Sequence, residues 1–230
     1  MTRFADFDLS TITFGAYSRG INVSLPNGDP IQFQIPRLYA PFGVSGFQSQ
    51  FGPTRYNLDG NMKGWDAEGS YVNKFYKFLT TIETIVIEHV RKGGFVEGEP
   101  NEFFNSNIKM SEKFDPKFRI KVDTSTKFFD SEGGDMTPPE LSEGLFKGKT
   151  FTGLVQLKSV YFFKRQIGLT WTLVEAKMFE PKRVHGPRFI KDSEVTETPK
   201  PSSPDSWAGK VAQKKGPMFI LDKKDSWADV

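Results

Sequence analysis

The sequence has no cysteine and only two histidines, His89 and His185. Without thiols, disulfide scaffolds, cysteine nucleophiles and zinc centres with cysteine ligands are excluded. Two imidazoles so far apart in the chain do not form a histidine-rich metal cage. No apolar run approaches the roughly 20 residues of a membrane-spanning helix. The opening Met1-Thr2-Arg3-Phe4-Ala5-Asp6 lacks the charged-then-apolar layout of a secretory signal. The expectation is a soluble, intracellular protein with no membrane partner. Charge of one sign is also scarce. Lys and Arg number 31 against 28 Asp and Glu over 230 residues, a net +3. Any affinity for a polyanion must therefore come from a local stripe. The chain has no G-x-S-x-G, Walker A loop, dinucleotide glycine fingerprint or H-E-x-x-H. No enzymatic activity and no cofactor is expected.

Aromatic residues are plentiful, with 23 Phe and an aromatic share of 14%. They concentrate before residue 180. Residues 181–230 are rich in Pro, Ser, Lys and acidic residues, and cannot bury enough apolar surface to offset their ordering entropy. Two domains follow: a folded body over 1–180 and a flexible tail over 181–230. From Lys191 to Val230 the tail holds seven Lys and seven Asp or Glu, so the +3 lies ahead of Lys191, where residues 181–190 carry Lys182, Arg183 and Arg188.

Within the body, hydrophobicity alternates with period two in Ile31–Ile35, Arg55–Met62 and Lys117–Val122. Two longer runs, Phe151–Phe163 and Ile167–Phe179, predict a long β-hairpin joined by Lys164-Arg165-Gln166. Parity switches near Leu173-Val174, which predicts a bulge or bend. Apolar residues at Val72, Phe75, Leu79, Ile82, Val86 and Val90 fall three and four apart. They predict an amphipathic helix from Ser70 to Lys92, stopped by Gly93-Gly94. A shorter helix is expected over Asn101–Asn107, and loops over 40–53 and 131–148. The fold class is mainly β (α+β): an OB-like β-barrel with one long amphipathic helix and a disordered C-terminal tail.

Three groups of residues suit a nucleic-acid strand. Lys117, Arg119 and Lys121 point to one face of a strand, about 6.6 Å apart at a rise of about 3.3 Å per residue. Such a row of like charges is costly unless an anion lies along it, and phosphates supply one. At the hairpin tip, Phe162 shares the outer parity with Gln156, Lys158 and Lys164, next to Arg165. Bases stack on such rings while phosphates meet the cations. By the same parity Tyr161, Phe163 and Trp171 go to the core. In Pro36-Arg37-Leu38-Tyr39-Ala40-Pro41-Phe42-Gly43, cations and rings interleave again, and Arg55 adds a further cation. His89 lies near the apolar stripe of the helix and is expected to pack there. Asp123, Asp130, Glu132 and Asp135 lie in a loop-rich stretch with no metal-binding spacing. In the tail, Asp205-Ser206-Trp207-Ala208 recurs as Asp225-Ser226-Trp227-Ala228, ahead of Asp229. Trp207, Asp225, Trp227 and Asp229 form an aromatic-acidic motif expected to dock on a partner groove.

The runs PRLYAPFGVSGF, RYNLDGNMKGWD, TTIETIVIEHV and LVQLKSVYFFKRQIGLTWTLVEAKMF, in that order, resemble the OB-fold single-stranded-DNA-binding proteins of nucleocytoplasmic large DNA viruses, the African swine fever virus type among them. A G-x-x-W element, here Gly168 to Trp171, sits in the closing hairpin. The likeness spans roughly residues 30 to 180. The tail is similar in style to the acidic tips of bacterial and phage single-stranded-DNA-binding proteins. This resemblance implies a viral protein that coats and protects single-stranded DNA during replication, recombination or repair, at a replication site in the host or packaged in the virion. Its partners would be DNA and, through the tip, replication proteins; a homo-oligomer is compatible. The alternative is a virion structural protein that binds no nucleic acid.

Overall fold

The structure, a computed structural model, describes residues 2–48 and 52–180. Two short 3-10 turns lead into a hairpin of β1 (Thr13–Phe14) and β2 (Gly20–Ser24). Strands β3 (Ile31–Gln34) and β4 (Leu38–Tyr39) form one bent strand, broken at Ile35-Pro36-Arg37, where Pro36 has no N–H to donate. β5 (Val44–Phe47) and β6 (Arg55–Asn61) follow, then helix α1 (Tyr71–Gly93). A single helical turn α2 (Pro100–Phe103) and two short strands, β7 (Phe104–Asn105) and β8 (Ile108–Lys109), lead to β9 (Lys117–Val122) and β10 (Lys127–Phe129). The chain closes with the hairpin β11 (Thr150–Phe163) and β12 (Gln166–Phe179).

Pairing closes a ring. β4 pairs with β6, β6 with β9, β9 with β12, β12 with β11, and β11 with β3 and β4. Only β9–β12 is parallel within this ring. Taking β3–β4 as the first strand gives the order 1-2-3-5-4-1, the OB arrangement. Closure is narrow at Tyr39↔Asn61 and Thr172↔Lys121, one residue pair each, so the barrel is OB-like with open seams. β2, β5, β7, β8 and β10 extend its sheet.

The helix follows from its sequence. Ser70 caps its start, Oγ accepting the Asn73 N–H at 2.9 Å, and Gly94 ends it at φ 62 in the left-handed region. Phe75, Phe78, Leu79, Ile82, Val86 and Val90 are buried along one face. The core is a chain of edge-to-face rings: Phe78 on Phe33, Phe33 on Trp171, Trp171 on Phe118, Phe118 on Phe75. Each such pair adds about 0.5–1.5 kcal/mol beyond the area it buries.

The expected bulge in β12 is present. Leu154 pairs with Glu175 and Val155 with Leu173, leaving Val174 as the extra residue. A second bulge was not legible. Leu157 pairs with Trp171 and Ser159 with Thr170, so Lys158 is extra on β11. Three further expectations are corrected. Stretch 40–53 is not all loop, because Val44–Phe47 pairs with β6 across Leu58 to Arg55. The short helix stops at Phe103, and Phe104 turns into a strand beside β12. Gln166 belongs to β12, so the hairpin turn is Lys164-Arg165 alone.

Candidate nucleic-acid interface

The second and third barrel strands, β6 and β9, lie side by side, with Asn57 opposite Lys121, Asp59 opposite Arg119 and Asn61 opposite Lys117. Phe118, Ile120 and Val122 fill the core, so Lys117, Arg119 and Lys121 face outward as their parity predicts. The row is not an uncompensated stripe, however. Arg119 donates from Nε and Nη2 to the two carboxylate oxygens of Asp59, at 2.8 and 2.9 Å. Asp59 is only 7% exposed. The neighbouring strand thus supplies the anion that the sequence argument reserved for phosphate. This hydrogen bond pushes the Arg119 guanidinium above its ordinary range. Nη1 of Arg119 keeps its two donors.

That leaves Lys117 and Lys121 on either side of a neutralised pair. Lys109 stands directly across β8–β9 from Lys117. Burial, and then the positive Arg119, hold its ammonium below its usual value, against Glu83 and Asp59. Glu83, on α1, is pushed up by burial. Its Oε1 accepts from Ser106 Oγ at 2.7 Å and the Asn107 N–H at 3.3 Å, which with Lys109 favours the charged form.

Aromatic rings rim this face. Tyr39 is 44%, Phe42 54% and Phe47 64% exposed. Tyr39 pairs with Asn61, the neighbour of Lys117. The Lys117 ammonium sits 4.6 Å from the Phe42 ring centre, and Phe47 pairs with Arg55. Arg37 is engaged elsewhere: its guanidinium lies 3.7 Å from the Phe179 ring centre and Nε donates to Thr150 Oγ1 at 3.0 Å.

At the hairpin tip the expected faces are exchanged. The extra residue Lys158 reverses the alternation, so Val160 is buried and Phe162 turns inward. Phe162 is half-buried, edge-on to Tyr17 at 5.1 Å and near Phe95 at 6.3 Å. Phe163 is 63% exposed instead, with the Lys164 ammonium 5.6 Å from its ring centre. Tyr161, expected in the core, lies on the outer face with Phe163. Lys164 and Arg165 are exposed at the turn, Lys164 at φ 56. The structure thus gathers Arg55, Lys117, Arg119, Lys121 and Tyr39, and keeps Lys164 and Arg165 at a separate tip. Trp207, Asp225, Trp227 and Asp229 lie outside the described residues.

Several residues of this face escaped sequence reasoning. Phe47 ends a four-residue strand next to Gly46, too short to show an alternation. Asp59 reads as an ordinary polar position of a strand, and Lys109 precedes a loop. Trp171 is buried against Phe33 and Phe118, and His89 stacks on Phe14 with ring centres 3.9 Å apart, both as expected. The carboxylates of Asp123, Asp130 and Asp135 accept backbone N–H groups of their own turns. Among the described residues no three His, Cys, Asp or Glu are placed to hold a metal ion.

No family model matches the chain, and no curated protein matches it. Among solved structures it is similar to the single-stranded DNA binding protein gp2.5 of bacteriophage T7, at 13% identity and TM-score 0.47 over 77% of this chain and 100% of that one. It is also similar to the single-stranded DNA-binding protein of bacteriophage Enc34, solved in complex with single-stranded DNA (11% identity, TM-score 0.46, 72% and 93% covered). The same Enc34 protein alone gives 12% identity and TM-score 0.45, with 81% and 99% covered. These are phage proteins, and none of the three comes from the large DNA viruses expected from the sequence. The OB-like assignment rests on the strand pairing of this chain itself.

Proposed function

We propose that the protein binds single-stranded DNA across β6 and β9, largely without regard to sequence, and coats and protects strands during genome replication, recombination or repair. The observation that carries this reading is one outward face holding Arg55, Lys117, Arg119 and Lys121, rimmed by the exposed rings of Tyr39, Phe42 and Phe47. Strands two and three are the faces through which OB barrels take oligonucleotides. Cations track the backbone and rings take bases, whose π-faces are common to all four. Lys164 and Arg165 at the hairpin tip, with Phe163, extend the contact; Arg37 braces the barrel and Phe162 its core. The segment 181–230, with its repeated Asp-Ser-Trp-Ala, is the partner-recruiting end of a viral replication protein in this reading.

Titration of a labelled oligo-dT over a range of salt concentrations tests it. Lys117→Ala with Lys121→Ala should lower the slope of log affinity against log salt by about 1.4, since each lost phosphate contact removes about 0.7 for single strands. Arg119 is left in place, because its loss would strand the Asp59 carboxylate. Absence of binding by the wild-type chain at low salt would overturn the reading in favour of a virion structural component.

A further inference from the structure

We propose that Tyr161 is a base-stacking platform and Lys109 the phosphate contact beside it, together forming a nucleotide subsite between the β6–β9 face and the hairpin tip. The inference rests on the single-strand reading above and adds to it a site outside the barrel's second and third strands.

The bulge at Lys158 turns Tyr161 outward, on the face of Ser159 and Phe163. Its ladder partners on both sides are glycines, Gly20 on β2 and Gly168 on β12. No side chain therefore rises from the two positions directly paired with it, and the ring is partly exposed. A Cβ on Gly168 would collide with the Tyr161 phenol, so the ring end lies directly across that glycine. Asn105, beside Gly168 on β7, donates from Nδ2 to Tyr161 Oη at 3.1 Å. Its Oδ1 accepts from Lys109 Nζ at 2.7 Å. One side-chain amide thus fixes both the ring and the ammonium.

Lys109 Nζ also donates to the Ser106 carbonyl at 2.6 Å, which leaves one of its three N–H groups. Directly across the ladder stands Lys117. Like charges placed opposite each other destabilise a sheet, and a phosphate between them would remove that cost. Beyond Tyr161 on the same face come Phe163, 63% exposed, and the cations Lys164 and Arg165. A strand leaving the β6–β9 face at Lys117 would meet Lys109, then Tyr161, then the tip. Covering a sheet glycine with an aromatic ring is a stabilising device in itself, but it gives no reason for the opposed lysines.

Tyr161→Leu keeps an apolar cover over Gly168 and removes the π-face. Its affinity for a labelled oligo-dT should fall about 5- to 150-fold, the range for one stacked base, with the salt slope unchanged. Tyr161→Phe should bind within about twofold of wild type, because the ring is retained. Lys109→Gln should lower the salt slope by about 0.7. With the wild-type chain, an oligonucleotide carrying 5-iododeoxyuridine should photocrosslink to the peptide containing Tyr161; this decides the matter even if Tyr161→Leu fails to fold. Wild-type affinity in a folded Tyr161→Leu, an unchanged slope in Lys109→Gln, or adducts confined to Phe42 and Phe47 would overturn the subsite. If the wild type itself does not bind oligo-dT, the single-strand reading fails; if it binds and these variants match it, only the subsite does.

Discussion

At the scale of single residues, neighbours decide roles that residue type leaves open. Arg119 looks like one of three equivalent cations, yet its bidentate pair with a nearly buried Asp59 makes it part of the wall. Removing one partner of such a pair costs more than the pair contributes, because the remaining charge loses its only compensation. Phe162 and Phe163 differ in the same way. Phe162→Ala should lower stability by about 1–3 kcal/mol, less than for a fully buried Phe, with oligo-dT affinity of the folded fraction retained. Phe163→Ala should leave the melting temperature near wild type and weaken binding by about 1–3 kcal/mol at most. Thermal melting and anisotropy on the same two variants check both halves. The adjacent pair Phe162-Phe163 was legible as aromatic, and its strand as a strand. Which ring faces out was not, since one extra residue five positions earlier reverses the alternation.

At the scale of elements, helix α1 was the most legible part of the chain. A stop and a stripe with steps of three and four are local features, and local physics suffices to read them. Its packing also sets a pH dependence. His89 stacks on Phe14, and burial together with the nearby Lys92 holds its imidazole below the usual value near 6.5. The unfolded chain therefore takes up this proton first as pH falls. Stability from this source is complete above about pH 6.5, declines as pH drops through that value, and levels off below the folded-state pKa. His89→Gln should remove this part of the acid-side loss, seen as a smaller difference between urea midpoints at about pH 7.5 and about pH 5.5. A wild-type slope in the variant would assign the loss to carboxylates. The short strands β5, β7 and β8 were not legible, because segments of two to four residues carry too few alternations to show a period.

On the scale of the whole molecule, a near-neutral chain offers a polyanion only local patches, so the salt slope should count those few contacts, about 0.7 for each. We propose that the C-terminal tip competes for the same patches. Deleting residues from Asp222 onward should tighten oligo-dT binding modestly at low salt, as a tethered anion is removed. The effect should fade near physiological salt, where screening acts within about 8 Å. Weaker binding at every salt concentration would show that the tail's own lysines and tryptophans hold the strand. By itself the sequence determined the period of each long element, the change from aromatic to polar composition near residue 180, and the outward row of Lys117, Arg119 and Lys121. Periodicity and composition are local, and survive in any tertiary setting. Only the tertiary structure decided that Asp59 lies under Arg119, that Lys109 faces Lys117, and that Tyr161 stands between two glycines. Each of these depends on register between strands distant in sequence, and register is set by bulges and by ring closure of the barrel.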